Sequence, residues 1–395
     1  MPLTERTFAS PVPQAHRWIA GLRFPDDKPL INVSQAAPTA PPPEGMRNAM
    51  AQALMDPATH LYSADLGLDA LRESLANHWA KCYAGPVTAD KVAITSGCNQ
   101  AFAATLSALC DAGDEVLIPT PWYFNHKMWL DMVGIIAIPL PTGPDLLPDP
   151  AQAARLVTPR TRAIIAVSPN NPAGVEYPAS LLQALFDLAQ NNGFRLILDE
   201  TYKDFRSLPG PPHLLLQQPD WDRTLIQLYS FSKAYRLTGH RVGAIIGASD
   251  LMPEVEKFID TVTICPSGLG QRAALWGLQN LDDWVEVERQ TNLNLAETIR
   301  TNFKKMQNKG WRLKGLGAYF AYLEHPFDMP ADRLAQRMVT EAHILALPGT
   351  MFMPKRHPDG ATHLRVAFAN IDAAGIGTLF DRLEPLALAP RRGAR

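Results

Sequence analysis

The chain has 395 residues, 46% hydrophobic and 19% charged, a globular balance that excludes disordered and collagen-like chains. Lys plus Arg (37) against Asp plus Glu (39) leaves a net charge of −2, which gives no electrostatic footprint for nucleic acid or an anionic membrane. No apolar run approaches the roughly 20 residues of a membrane helix, the longest being Ile135–Leu140, and Met1 to Pro13 lack an apolar signal core.

Residues 1–45 read as an irregular, extended arm. The run Ala36-Ala37-Pro38-Thr39-Ala40-Pro41-Pro42-Pro43 cannot be helix or central strand, because proline fixes φ and lacks the N–H. From 46 to about 250, helix and strand patterns alternate. Leu68, Leu71, Leu75, Trp79 and Cys82 recur at helical spacing, and Phe102, Leu106 and Leu109 mark a second helix. Apolar strands are predicted at Val92–Thr95, Glu115–Pro119, Ile135–Leu140, Ala163–Val167, Arg195–Leu198, Leu225–Leu228 and Val242–Ile246. Ser180-Leu181-Leu182-Gln183 reads as a capping box and Gly193 as the end of its helix. Continuous apolar strands separated by helices imply a mostly parallel sheet covered on both faces. Beyond about 280, Leu295, Ile299, Phe303 and Met306 form one stripe of a long helix ended by Gly310. Strands at Ala318–Leu323 and Leu364–Phe368 and helices near 331–342 and 371–386 complete a smaller α+β unit. The expected organisation is an arm over 1–45 that joins the small domain, a large domain over 46–285 and a small domain over 286–395. The tail Pro390–Arg395 reads as mobile. Cys82, Cys98, Cys110 and Cys265 show no metal or redox spacing, so reduced thiols, a cytoplasmic setting and no metal are expected.

Ligands of an open parallel sheet collect at the carboxyl ends of its strands. Those ends carry Ser96-Gly97-Cys98-Asn99-Gln100, Pro121-Trp122-Tyr123, Ser168 to Gly174, Asp199-Glu200-Thr201-Tyr202 and Tyr229 to Lys233, with Gly239-His240-Arg241 before the last strand. Taken singly, each has an ordinary structural reading. Ser96-Gly97 is a turn and helix cap, Asn171 a turn former, Asp199 a cap or ion pair, Lys233 a solvated lysine, Tyr123 a core aromatic and Arg365 a strand ion pair. Together they are anion binders, a carboxylate, a lysine and an aromatic, at consistent positions.

In that order the set resembles the class I/II aminotransferases of fold-type-I pyridoxal-phosphate enzymes, over about Ile31 to Asn370. The matching stretches are Tyr62 to Gly67 with Leu71-Arg72-Glu73, Thr95 to Gln100 and Pro119 to Tyr123. They continue through Ser168 to Gly174, Asp199 to Tyr202, Ser230 to Lys233, Leu237 to Gly243, Leu347-Pro348-Gly349 and Leu364-Arg365-Val366. The resemblance implies a three-layer αβα large domain with a mostly parallel seven-stranded sheet. It implies pyridoxal 5′-phosphate as cofactor, amino-acid and 2-oxo-acid substrates, and a homodimer. By it, Lys233 would form the internal Schiff base and then shuttle the Cα proton. Asp199 would pair with the pyridine nitrogen, and Tyr202 and Asn171 with the ring 3-oxygen. Tyr123 would stack on the ring. Ser96, Gly97, Cys98, Ser230, Ser232 and Arg241 would hold the phosphate, joined by Tyr62 of the neighbouring subunit. Arg365 would clamp the substrate α-carboxylate in a bidentate fork.

Three departures stand out. Ala36-Ala37-Pro38 replaces a Gly-x-Pro segment that lies over the substrate, placing Ala36 and Ala37 at the substrate site. Cys98 stands where small residues are common. His240, beside Arg241, reads as a structural histidine. The stretch Lys257–Cys265 has no arginine for a second carboxylate, which favours neutral or aromatic amino acids slightly over dicarboxylates. Trp18, Trp122 and Tyr319 are expected to line a pocket for larger side chains. A carbon–sulfur or β-eliminating lyase on the same scaffold would use the same Lys233, Asp199 and Arg365. A non-catalytic regulator would need a DNA-binding domain that residues 1–45 cannot form. Gly315-Leu316-Gly317 is not a dinucleotide-binding turn, which sets a nicotinamide enzyme aside.

Overall fold

In the computed structural model, described over residues 2–386 and 388–391, the predicted strands form one seven-stranded sheet. In chain order these are β1 (Val92–Thr95), β2 (Glu115–Thr120), β3 (Ile136–Pro141), β4 (Thr161–Val167), β5 (Arg195–Asp199), β6 (Leu225–Ser230) and β7 (Gly243–Ile246). Their order across the sheet is β1-β7-β6-β5-β4-β2-β3. All run parallel except β7, which is antiparallel to both of its neighbours.

Side chains alternate across a strand, so each apolar strand feeds two cores. Ile94, Leu117, Ile164, Leu196 and Ala244 pack one way; Ala93, Val116, Ile165, Ile197 and Ile245 pack the other. Helices Asp69–Tyr83, Ala179–Asn192 and Gly268–Asn280 cover the first face through Leu75, Leu185 and Ala274. Helices Cys98–Leu109, Phe124–Val133 and Met252–Thr263 cover the second through Phe102, Leu130 and Val255. The result is the expected three-layer arrangement. Each fully buried Leu or Ile stabilises it by about 1.5–3 kcal/mol relative to exposure.

Two local expectations are corrected. The helix after β4 starts from Pro178, with no side-chain cap, and Ser180 lies inside its first turn. The Pro178 carbonyl accepts from Leu181 N–H at 2.9 Å and Leu182 N–H at 3.1 Å, and Gln183 donates to Asp187 rather than back to the cap. Gly193 does end that helix, in the left-handed conformation (φ +70°). Near the N-terminus, Pro11–Ile19 is a helix and not irregular chain. Pro11 and Pro13 sit in its first turn, where proline removes no intrahelical hydrogen bond. Val12, Ala15, Trp18 and Ile19 bury its apolar side against Phe124, Val339 and Phe352.

A second, antiparallel sheet comprises β8 (Arg312–Gly317), β9 (Phe320–Glu324), β10 (Leu347–Pro348) and β11 (His363–Ala367), ordered β10-β11-β9-β8. β8 was not predicted, because Gly315 and Gly317 interrupt its apolar pattern. Their reason is close approach: a Cβ at either would come 2.3 Å from the carbonyl of Ala173 or Gly174. Helices Asp282–Gln307, Ala331–Ala342 and Ala373–Leu383 pack on this sheet through Ile299, Phe303, Leu334, Met338 and Phe380. Ile31–Asn32 pairs in parallel with Ile344–Leu345, and Ala367 N–H donates to Val33 O at 2.9 Å, which ties the arm to this unit. Of the tail, Pro390 bridges Phe327, and 392–395 lie outside the described residues.

Candidate active site

The carboxyl ends of β1, β4, β5 and β6 and the start of β7 share one edge of the sheet. They open into a cleft of about 690 Å³ that also receives Ala36, Ala37 and Arg365. Asp199 is the last residue of β5 and is buried. His126 Nε2 lies 3.2 Å from its Oδ2, and Thr201 N–H donates to its Oδ1 at 3.0 Å. Burial pushes this carboxyl up, but the hydrogen bond and charge of His126, with Thr201, outweigh it and hold it below the usual value. Asp199 is therefore a fixed anion facing the cleft. The Cys98 thiol, 3.8 Å away, is raised well above its ordinary range by burial and by Asp199, and stays protonated.

His126 was not singled out from the sequence. It stands three residues after Tyr123 on helix Phe124–Val133, the spacing that returns a side chain to the same face. Its ring stacks on Phe102 with centroids 4.0 Å apart and meets Tyr123 edge-on at 5.0 Å. Asn125 was likewise missed, and Asn99 was named at its strand end without a role. Asn125 Nδ2 donates to the Tyr123 hydroxyl at 2.8 Å, and both asparagines line the cleft. Tyr123 is thus held by its ring and by its hydroxyl, and burial followed by the Asp199 charge raises it to about 12.

Lys233 lies in the short helix Phe231–Ala234 that follows β6. Its Nζ donates to Ala36 O at 2.5 Å and sits 5.8 Å from the Tyr202 ring centre. Burial, then the Arg241 and Arg365 cations, lower its amine to about 8. A lysine amine so lowered is a nucleophile and proton carrier near neutrality. Tyr202 packs between Tyr319 and Phe320, and burial keeps its phenol protonated as a donor.

At the other end of the cleft, the Ser230 hydroxyl accepts from Ser232 N–H at 3.2 Å, and Ser232 Oγ accepts from Arg241 Nη1 at 3.4 Å. Gly97 backs this group at φ +87°, and a Cβ there would meet Arg241 Nη2 at 2.1 Å. Glycine therefore lets the guanidinium lie against the start of helix Cys98–Leu109, where free N–H groups and the helix dipole favour an anion. Ser96 stands behind the cleft, its N–H given to Gln100 Oε1 at 2.6 Å. Tyr62 is 79% exposed and lies in a separate hollow with Cys265 and Pro266, outside the cleft of its own chain.

Arg365, on β11, is only 2% exposed. Nη1 donates to Asn171 Oδ1 at 3.0 Å, Nη2 donates to Ser34 O, and Nε has no partner. The rings of Phe352, Phe320 and Phe124 lie 5.0, 5.2 and 6.0 Å from its guanidinium carbon. Burial lowers it to about 10, so it remains a cation at neutral pH with a donor unspent. On the opposite face, Glu200 accepts from Tyr83 at 2.6 Å and from Gln227, which anchors the turn that carries Asp199 and Tyr202.

Trp18, Trp122 and Tyr319 do not line the cleft; they are packed in the cores. His240 does not line it either, and its carbonyl instead packs on Gly270.

The donor set fits pyridoxal phosphate. A buried carboxylate stands at one end, a lysine of lowered pKa in the middle, and a cation with serines and a glycine-made space at the other. A family model for aminotransferase class I and II matches residues 28–383. The aspartate/prephenate aminotransferase of Thermus thermophilus is 28% identical over 83% of this chain and 85% of its own length. The aromatic aminotransferase ISS1 of Arabidopsis thaliana is 26% identical over 93% and 92%. The valine–pyruvate aminotransferase of Mycobacterium tuberculosis is 29% identical over 86% and 87%. Among solved structures, a mutant aspartate aminotransferase of Thermus thermophilus superposes with a TM-score of 0.89, at 24% identity over 98% of this chain and 99% of that one. The aspartate aminotransferase of Thermotoga maritima gives 0.85, at 23% identity over 97% and 98%. The chain belongs to the class I and II aminotransferase family and is a pyridoxal-phosphate-dependent aminotransferase.

Proposed function

We propose that the chain moves the amino group of a neutral or aromatic α-amino acid to a 2-oxo acid by ping-pong chemistry, with dicarboxylates poorer donors. The observation that carries this reading is the count of cations in the cleft. Among the described residues, the Lys and Arg side chains that line it are Lys233, Arg241 and Arg365, and each has a task. The further basic group there is the His16 imidazole, and the nearby wall includes Val12 and Phe124. The relatives' names span acidic, aromatic and branched donors, so they do not choose.

The cofactor, when bound, supplies the electron sink that makes the substrate Cα–H acidic. Asp199, kept ionised by His126, would hold the protonated pyridine nitrogen. Tyr202 and Asn171 would donate to the ring 3-oxygen, and Tyr123 would cover the ring. Ser230, Ser232, Arg241 and the Cys98 N–H at the start of its helix would bind the phosphate, in the space that Gly97 leaves open; the Ser96 and Gly97 N–H groups are already given to Gln100 and Thr95. Arg365 would take the α-carboxylate with Nε and its fork, and Lys233 Nζ would remove the Cα proton. Ala36 and Ala37 would bound the substrate from above.

A homodimer is part of this reading. Met55, Leu61, Tyr62 and Val262 are exposed apolar side chains, and Tyr62 would complete the phosphate site of the partner. The division into 1–45, 46–285 and 286–395 places a boundary inside helix Asp282–Gln307. The four cysteines, all unpaired, suit a reducing cytoplasm.

The test is the visible absorption of the loaded enzyme with single amino acids and no oxo acid. Bleaching by neutral or aromatic amino acids ahead of aspartate and glutamate supports the preference. The reverse order overturns it. A persistent band with ammonia and an oxo acid released would assign the lyase instead.

A further inference from the structure

The segment 34–37 crosses the cleft, and its carbonyls touch both substrate-facing cations. Ala36 O accepts from Lys233 Nζ at 2.5 Å, and Ser34 O accepts from Arg365 Nη2. This segment belongs to no helix or strand. Upstream, Asn32 Oδ1 accepts from Ser34 N–H at 3.1 Å and from its hydroxyl at 2.7 Å. Downstream come Pro38, Pro41, Pro42 and Pro43, which have no N–H to anchor them. Ala37 N–H also donates to Gln35 O at 3.1 Å, and Arg236 Nη1 donates to Pro41 O at 3.3 Å beyond the segment. Apart from the two basic groups of the cleft, one side chain reaches residues 35–37 from elsewhere in the chain. Asn370 Oδ1 accepts from Ala37 N–H at 3.2 Å, and Asn370 Nδ2 donates to Gln35 O. Asn370 ends the turn Phe368–Asn370 directly after β11, the strand that carries Arg365.

We propose that Asn370 is a positioning residue for the amino-acid site: its amide clasps Gln35 and Ala37 and so fixes Ser34 O on Arg365 and Ala36 O on Lys233. The clasp sets the depth at which a substrate carboxylate meets Arg365 and its Cα meets Lys233. An amide alone serves, because the segment presents one donor and one acceptor. A carboxylate offers no donor to Gln35 O, and a methyl offers neither bond. The proposal rests on the role given to Arg365 above.

The test uses the loaded enzyme and follows bleaching of its visible band against amino-acid concentration. For Asn370→Ala the half-saturating concentration should rise about 10-fold, the effect of losing two ordinary hydrogen bonds. The limiting rate and the cofactor titration should change little. Asn370→Asp, which keeps the Ala37 bond, should fall between. Wild-type half-saturation in both variants overturns the clasp, as does an equal loss of cofactor affinity. Should Asn370→Ala not fold, Asn370→Asp decides alone, by the same shift or its absence. Unchanged half-saturation in Arg365→Ala would instead sink the carboxylate role on which the proposal rests, which keeps the two failures apart.

Discussion

His126 Nε2 stands 3.2 Å from Asp199 Oδ2, with side-chain exposures of 2% and 5%. The pair keeps an anion in a place where burial alone would neutralise it. His126→Leu, close in volume, removes the partner. The Asp199 carboxyl should then titrate at higher pH, and the acid limb of the kcat/KM profile should move to higher pH. An unmoved limb would show that Thr201 suffices.

The Lys233 amine, lowered to about 8, gives the cofactor-free protein a defined pH response. Only the neutral amine attacks a carbonyl. Cofactor capture should rise about tenfold per pH unit below about 8 and level off above it, as one deprotonation requires. Stopped-flow mixing with pyridoxal phosphate measures it. A profile still climbing toward the ordinary lysine range would contradict the lowered value.

Arg365 presents a planar fork among three aromatic rings, a geometry an ammonium does not reproduce. Arg365→Lys should weaken amino-acid binding by about 2–5 kcal/mol, the range for truncating a buried charge-assisted contact. Cofactor affinity should stay near wild type. Paired titrations of the variant decide, and equal losses for both ligands would remove the carboxylate role.

Glu200 holds Tyr83 and Gln227 inside the core, and both partners are sealed from water. Glu200→Leu takes the acceptor from a buried hydroxyl and leaves the buried amide only His213 Nε2, at 3.5 Å, at a cost of about 3–5 kcal/mol. Glu200→Gln, which keeps an acceptor for Tyr83, should lose less. Urea unfolding at constant slope reads the difference. Two variants of equal stability would mean the network relaxes freely.

The strand ends were legible because continuous apolar runs and the polar residues that follow them are local in sequence. Asp199, Lys233, Asn171 and Arg241 were found that way. His126 was not, since its significance depends on a carboxylate from another strand. The N-terminal helix was hidden by Pro11 and Pro13, which forbid a helix interior but not its first turn. β8 was hidden by glycines whose need is a carbonyl far away in the chain. Trp18, Trp122 and Tyr319 were misplaced because an aromatic side chain has the same pattern in a core as in a pocket wall.

The reversed direction of β7 has a consequence for what the chain tolerates. A parallel partner would have required a long crossover between β6 and β7. Reversal keeps the connection 231–242 at one edge of the sheet, the cleft edge, and it holds both Lys233 and Arg241. Register fixes both ends, since Ser230 and Thr95 each pair with Gly243. A single inserted residue there would unseat Lys233 and Arg241 together. The turn through exposed Asp111, far from the cleft, carries no such burden and should absorb extra length. Length variation among descendants of this sequence should therefore concentrate at that opposite edge of the sheet, while 231–242 keeps its count.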